Sequence, residues 1–181
     1  FVLNKKKLGI IGFGNIGKNV ARMARGFGMD ICYYDPVKAS VEDENETGAR
    51  YSDLESIISE SDYLSLHVHL NSQTEGMIGA SELEKMKDSA VLINVSRAQL
   101  VDNDALRRAL DEKQIWGCGL DVFLKEPTEP NDPILNHPHV VATPHMAGST
   151  LDAYKSALQN CRDNLDRAFR GEKPQWIVNG V

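Results

Sequence analysis

The stretch LGIIGFGNIG, Leu8 to Gly17, places the pattern Gly-x-Gly-x-x-Gly directly after a short apolar run and at the start of a helical pattern. In a dinucleotide-binding loop, Gly12 would permit the tight turn and Gly14 would let the backbone approach a pyrophosphate. Gly17 would let the helix pack closely on the strand. Glycines also turn chains for purely structural reasons, so the spacing alone is weak evidence. Its place between a strand and a helix predicts a phosphate-binding loop.

A carboxylate at the end of the next apolar run completes this pattern. Asp35 follows ICYY, roughly 20 residues after the glycines, where an acid would accept hydrogen bonds from the adenosine ribose. The alternative is a turn aspartate before Pro36. A carboxylate would repel a 2′-phosphate, and Lys38 is the only cation close by in the sequence, so we expect NAD rather than NADP. Asn15 and Ile16, at the helix start, would offer N–H groups to the pyrophosphate.

Short apolar runs alternate with amphipathic segments along most of the chain. The runs predict strands at Leu8–Gly12, Asp30–Tyr34, Asp62–Val68, Ala90–Val95, Gly117–Phe123 and Val140–Thr143. The segments predict helices at Asn15–Phe27, Leu54–Ser59, Ser81–Met86 and Asn103–Lys113, and a longer one near Ser149–Arg170. This alternation is typical of right-handed βαβ crossovers. We expect an α/β fold with a Rossmann-type doubly wound parallel sheet, forming a single dinucleotide-binding domain over residues 1–181.

Local signals indicate where some of these elements begin and end. Ser81 and Glu84 have the spacing of a capping box, and Asp102 is expected to cap the helix that follows it. The segment KEPTEPNDPILNHPH, Lys125 to His139, contains four prolines, which predicts a surface loop.

The composition is that of an ordinary globular protein. With 181 residues, 41% hydrophobic residues and a formal net charge of −6, the chain has material for a sizeable core and no basic stripe for nucleic acid or an anionic membrane. No apolar segment reaches membrane-spanning length, and no signal peptide precedes the first strand. The three cysteines lack CxxC spacing, and no ligand set completes a metal site around His137 and His139. We expect reduced thiols, no bound metal and a cytoplasmic location.

Three polar residues follow successive predicted strands. Arg97 comes after the fourth, Glu126 after the fifth and His145 after the sixth. Each has an ordinary alternative, as a solvated arginine, a loop glutamate before proline and a structural histidine. The carboxyl ends of parallel strands meet at one edge of the sheet, where ligands bind in open α/β folds. We therefore expect the three side chains on the cofactor side.

Four motifs, GFGNIG, NVSRAQLVDNDALRRAL, GLDVFLKEP and TPHMAGST, occur in order along the chain. Together they resemble the NAD-binding domain of D-isomer-specific 2-hydroxyacid dehydrogenases. The resemblance implies that Arg97 binds the substrate carboxylate, Glu126 is the catalytic acid and His145 transfers the proton. These roles suit the reduction of a 2-oxo acid, because hydride delivery to C2 leaves negative charge on the carbonyl oxygen, which a protonated imidazole could stabilise and then protonate. The Glu126 carboxylate would favour the imidazolium and fix the ring, and the planar guanidinium of Arg97 would bind the substrate carboxylate at two points. It implies cofactor contacts from the glycines of the loop, Asn15, Ile16, Asp35, Val68 (adenosine side), Val95 and Ser96 (nicotinamide side), Arg97, Asp121 (carboxamide), His145 and Gly148.

The resemblance also implies features that this sequence does not display. The family's substrate domain is formed by an N-terminal segment and a final helix, and no such N-terminal segment is present before Phe1. We therefore expect a partial chain that binds NAD and a 2-oxo or 2-hydroxy acid, of phosphoglycerate or glyoxylate/hydroxypyruvate type, and forms a homodimer through this domain. The alternative is an NAD(H)-sensing corepressor-like module of the same fold.

Overall fold

A computed structural model describes residues 2–177 of the chain. Phe1 and residues 178–181, which belong to the predicted domain, lie outside the described residues. Contacts between Cα atoms divide the chain into two compact units, Phe1–His145 and Met146–Val181.

The first unit is built on one seven-stranded sheet in which every neighbouring pair of strands is parallel. Its strands are β1 (Lys7–Ile11), β2 (Asp30–Tyr34), β3 (Arg50–Tyr51), β4 (Tyr63–Leu66), β5 (Val91–Asn94), β6 (Gly117–Leu120) and β7 (Val140–Ala142). Their spatial order is β3-β2-β1-β4-β5-β6-β7. The order reverses direction between β1 and β4, which is the point where such sheets bind ligands.

Helices cover both faces of this sheet. They are α1 (Asn15–Gly26), α2 (Val41–Thr47), α3 (Leu54–Glu60), α4 (Ala80–Lys85) and α5 (Asn103–Asp111). Ile10 and Ile11 point to opposite faces of β1, and both are fully buried. Ile10 packs in a cluster with α1, whereas Ile11 packs in the larger cluster with α3, α4 and α5. The predicted doubly wound α/β fold is confirmed.

The sequence missed two small elements. α2 begins after Ser40, whose hydroxyl accepts the N–H of Asp43 at 3.2 Å, and ends at Gly48 in the left-handed conformation. The helix itself, VEDENET, is acidic and lacks apolar periodicity, which is why its pattern gave no signal. β3 has two residues and is exposed at the edge of the sheet.

The two predicted helix starts had different outcomes. The N-cap at Asp102 is confirmed, since its carboxylate accepts the N–H of Ala105 at 3.0 Å. The capping box from Ser81 is wrong. The helix begins at Ala80, one residue before its predicted start, with Gly79 as the N-cap residue, and the carboxylate of Glu82 accepts the Gly79 N–H at 3.1 Å. The residues before α4, Gly76 to Ile78, form main-chain hydrogen bonds with residues 99–102. These tertiary contacts set the start of α4.

The second unit is dominated by one long helix, α6 (Leu151–Phe169), close to its predicted bounds. The hydroxyl of Thr150 caps it by accepting the N–H of Ala153 at 3.1 Å. No residue of α6 is buried. Across the described residues, none of the helices has the length and apolar character needed to span a membrane.

Candidate functional site

The glycine loop between β1 and α1 has the close approaches expected of a phosphate-binding turn. Gly12 has a φ of 94°, and a Cβ there would lie 2.6 Å from the carbonyl of His67 at the end of β4. A Cβ on Gly17 would lie 2.2 Å from the carbonyl oxygen of Gly12. A Cβ on Gly14 would meet nothing within 4 Å. Gly12 and Gly17 are therefore required by the fold, whereas Gly14 keeps a space open above the loop.

The N-terminus of α1 borders that space. Gly14 caps the helix without a side-chain hydrogen bond, and the first turn carries no acidic residue. Asn15 and Ile16 are exposed there, and their N–H groups belong to the unpaired first turn. A helix start of this kind attracts an anion such as a pyrophosphate.

Asp35 lies at the end of β2, beside the glycine loop. One of its carboxylate oxygens accepts the N–H of Phe13 and the other accepts the N–H of Val37, both at 2.9 Å. Lys38 does not neutralise it: the Lys38 ammonium lies 3.9 Å from the carboxylate of Glu44. The loop, the helix start and this fixed acid fit the pyrophosphate and ribose of a dinucleotide without a 2′-phosphate.

Other predicted contact residues lie at the ends of the next strands. Val68 is half-buried against Gly12, since a Cβ on that glycine would come within 2.8 Å of a Val68 methyl. Val95 and Ser96 follow β5, and the Ser96 hydroxyl donates to the carbonyl of Leu66 at 2.8 Å. Asp121 follows β6, is buried, and accepts a hydrogen bond from the Thr143 hydroxyl. The parallel sheet brings these positions to the edge that carries the glycine loop.

Glu126 and His145 form a hydrogen-bonded pair. Nδ1 of His145 lies 2.8 Å from one oxygen of Glu126, and the other oxygen accepts the N–H of Phe123 at 3.0 Å. These two hydrogen bonds hold the pKa of the Glu126 carboxyl below its usual value, so the group is ionised at neutral pH. His145 has a φ of 52°, a strained conformation for a non-glycine residue. The pair leaves Nε2 of the imidazole available to a ligand.

Arg97 shares a cavity of about 200 Å³ with this pair. The only hydrogen bond of its guanidinium within the described residues is to the carbonyl of Ser96, at 2.7 Å. Among those residues, no carboxylate forms an ion pair with it. A small cavity that contains an unneutralised guanidinium and an imidazole is suited to a small anion that also carries a hydrogen-bond acceptor.

Sequence reasoning missed the residue that holds Arg97 in place. Asn94 is 1% exposed, and its amide spans the turn after β5. Its nitrogen donates to the carbonyl of Arg97 at 2.9 Å, while its oxygen accepts the N–H of Ser96 at 3.1 Å. The sequence did contain a signal for this role, because Asn94 is a polar residue at the end of an apolar run.

His67 is a second residue that the sequence did not single out. Its Nε2 lies 2.9 Å from the Ser65 hydroxyl, and its Nδ1 is buried without a hydrogen-bond partner among the described residues. Burial lowers its pKa to about 4, so the ring is neutral. Because its carbonyl contacts Gly12, His67 supports the glycine loop from the neighbouring strand.

The predicted site residues thus have different outcomes. The first unit contains all of them except Gly148, which is exposed in the second unit. Arg97, Glu126 and His145 line one cavity. The glycines, Asn15, Ile16, Asp35 and Val68 surround the loop at the β1–β4 junction. Their individual contacts with a ligand stay predictions. Among the described residues, no group of histidines, cysteines or acids could hold a metal.

Comparison with known proteins identifies the family. The family model described as D-isomer specific 2-hydroxyacid dehydrogenase, NAD binding domain, matches residues 2–147. The chain is 45% identical to a glyoxylate reductase of Korarchaeum cryptofilum over 96% of its own length and 52% of the relative's. It is 40% identical to a glyoxylate/hydroxypyruvate reductase B of Pectobacterium carotovorum, over 98% of this chain and 55% of the relative.

Solved structures agree with this assignment. A D-lactate dehydrogenase with NAD+ from Lactobacillus jensenii superposes with a TM-score of 0.91 at 30% identity, over 99% of this chain and 57% of that one. The chain spans about half the length of the curated relatives it matches. The predicted family and the predicted cofactor, NAD, are confirmed. The chain belongs to the D-isomer-specific 2-hydroxyacid dehydrogenase family and contains its NAD-binding domain.

Proposed function

We propose that the protein containing this chain interconverts a 2-hydroxy acid and a 2-oxo acid with NAD as the hydride carrier. One observation carries the proposal: the unneutralised guanidinium of Arg97 lines the same small cavity as the Glu126–His145 pair. This combination supplies a binding group for a carboxylate and a proton donor for a carbonyl oxygen. The neighbouring glycine loop would bind the dinucleotide.

The nicotinamide, when bound, supplies a hydride to C2 of the 2-oxo acid. In the same step His145 gives its proton to the carbonyl oxygen, so that the product is a neutral hydroxyl and the imidazole is left uncharged. In the opposite direction, the neutral imidazole takes the hydroxyl proton as the hydride leaves C2. Charge and protons balance in both directions.

Glu126 acts on the reaction through His145. Its carboxylate faces Nδ1 at 2.8 Å, which holds the ring in one orientation and leaves Nε2 for the substrate. Arg97 would hold the substrate carboxylate at two points and so align C2 with the hydride donor. Asn94 fixes the main chain from which Arg97 extends.

The names of the relatives support a small acid as the substrate. The Korarchaeum relative is a glyoxylate reductase, and the Pectobacterium relative is a glyoxylate/hydroxypyruvate reductase. We therefore favour the glyoxylate/hydroxypyruvate type over the phosphoglycerate type. The enzymatic names of these relatives also favour a dehydrogenase over a corepressor-like module.

Further assignments belong to the same proposal. We retain residues 1–181 as a single NAD-binding domain. We also retain a homodimer formed through it, for which the 41% exposed Trp116, stacked edge-on against His139, is a candidate interface residue. The free thiols of Cys32, Cys118 and Cys161 agree with a reducing compartment such as the cytoplasm.

The test is an NADH-oxidation assay of the natural polypeptide that contains this sequence, across a panel of 2-oxo acids. We expect turnover that His145→Ala and Arg97→Ala each reduce by at least about 100-fold. His137→Ala is the matched control, because His137 lies in the loop before β7 and outside the cavity. Absence of any turnover sensitive to His145→Ala would refute the proposal. NADH-dependent capture of a protein partner with negligible turnover would favour the corepressor-like alternative.

A further inference from the structure

Gln99 lines the proposed substrate cavity from a short 3-10 turn, Ala98–Leu100. The two flanking side chains of this turn, Ala98 and Leu100, are buried in the core. Gln99 is exposed between them. The turn therefore presents Gln99 to the cavity two residues after Arg97, on the same side of the molecule.

Main-chain hydrogen bonds fix the position of Gln99. Its carbonyl accepts the N–H of Gly76 at 2.8 Å, and the next carbonyl, of Leu100, accepts the N–H of Ile78 at 3.1 Å. On the other side, Asn94 holds the carbonyl of Arg97 at 2.9 Å. The distance between the Gln99 and Arg97 backbones is thus set by the fold, and binding of a ligand need not reorder the turn.

The chemistry of the cavity makes Gln99 distinct. Besides the three groups assigned to the reaction, the described lining consists of Gln99 and four apolar residues, Ala98, Val122, Phe123 and Leu124. The Gln99 amide has no hydrogen bond to any described residue. It can both donate to and accept from a ligand. Within that lining, no cation other than Arg97 and His145 is available to pair with a second anionic group.

We propose that Gln99 is a specificity-determining residue for the substituent at C3 of the 2-oxo acid. This inference rests on the proposed function. With Arg97 on the carboxylate and His145 on the carbonyl oxygen, the third substituent of C2 faces the remaining wall of the cavity. There the Gln99 amide hydrogen-bonds a neutral polar group such as a C3 hydroxyl, and it is left unpaired by a C3 methyl.

The test compares three acids that differ only at this substituent: glyoxylate, pyruvate and hydroxypyruvate, each with NADH and the natural polypeptide. The variant is Gln99→Met, which keeps the length of the side chain and removes the amide. We expect the ratio of kcat/KM for hydroxypyruvate to kcat/KM for pyruvate to fall by about fivefold or more. The value for glyoxylate, which has no C3, should change by less than about twofold.

Controls separate this inference from the proposed function and from misfolding. Gln73→Met, an exposed glutamine outside the cavity, should leave all three values unchanged. The kcat/KM of Gln99→Met with glyoxylate reports whether the variant folds. An unchanged hydroxypyruvate-to-pyruvate ratio, or an equal loss with all three acids, would overturn the role of Gln99 while the dehydrogenase activity stands. A wild-type protein that reduces no acid of the wider 2-oxo acid panel would overturn both.

Discussion

Nδ1 of His145 lies 2.8 Å from the carboxylate of Glu126, whose second oxygen is held at 3.0 Å by the N–H of Phe123. The carboxylate therefore cannot swing away from the imidazole without losing a main-chain hydrogen bond. This arrangement fixes which ring nitrogen meets a ligand, and it keeps a negative charge beside the ring at neutral pH.

Replacing Glu126 should lower the rate of the reaction. Glu126→Gln retains the shape of the side chain and removes the negative charge beside Nδ1 of His145. We expect kcat/KM for reduction to fall by about 10- to 100-fold at neutral pH. Glu129→Gln, in the same loop, is the control, and an unchanged kcat/KM in Glu126→Gln would contradict the assigned role.

Asp35 should determine the preference for NAD over NADP. Asp35→Asn keeps the size of the side chain and an acceptor for one of the N–H groups of Phe13 and Val37, and it removes the charge that repels a 2′-phosphate. We expect NADPH to bind at least about tenfold more tightly than in the wild type. Fluorescence titration with both cofactors measures this, with Asp88→Asn as an exposed control. If NADPH affinity does not rise, another group excludes the 2′-phosphate.

Asn94 should support substrate binding from beneath the surface. Asn94→Leu leaves the N–H of Ser96 and the carbonyl of Arg97 without their partner. We expect the free energy of unfolding to fall by about 1–3 kcal/mol, because buried polar groups lose their hydrogen bonds. We also expect KM for the acid to rise more than kcat falls. Denaturant unfolding and steady-state kinetics test both effects, and Asn45→Leu, on the exposed side of α2, should produce neither.

His67 should make stability depend on pH. Its pKa is lowered from 6.5 to about 4 in the folded state, so the unfolded chain binds the proton more readily. The contribution of His67 to the free energy of unfolding should therefore be fully present above pH 6.5. It should decrease as the pH falls towards 4, by no more than about 3 kcal/mol. His67→Gln has no titratable imidazole at this position, so its free energy of unfolding should depend less on pH between 6.5 and about 4. Chemical denaturation at a series of pH values measures the slope, and identical slopes would contradict the assignment.

The sequence by itself determined the features that depend on local pattern. Apolar runs and the segments between them located six strands, because a strand buried on both faces must be apolar along its length. The glycine spacing and Asp35 identified the dinucleotide loop, because only glycine tolerates the φ of 94° and the close backbone approach at Gly12. α2 was not predicted because capping and tertiary ion pairs, rather than an apolar face, stabilise this helix.

Tertiary structure alone decided how the separate motifs meet. Glu126 and His145 are 19 residues apart, yet the loops after β6 and β7 bring them within hydrogen-bond distance. The burial of Asn94 and of Nδ1 of His67 depends on neighbouring strands and on the glycine loop, which lie far away in the sequence. A residue's type can suggest its chemistry, because that is a property of the side chain. Whether the guanidinium of Arg97 lacks a carboxylate partner among the described residues and lines the same cavity as a paired imidazole depends on long-range packing that no local pattern contains.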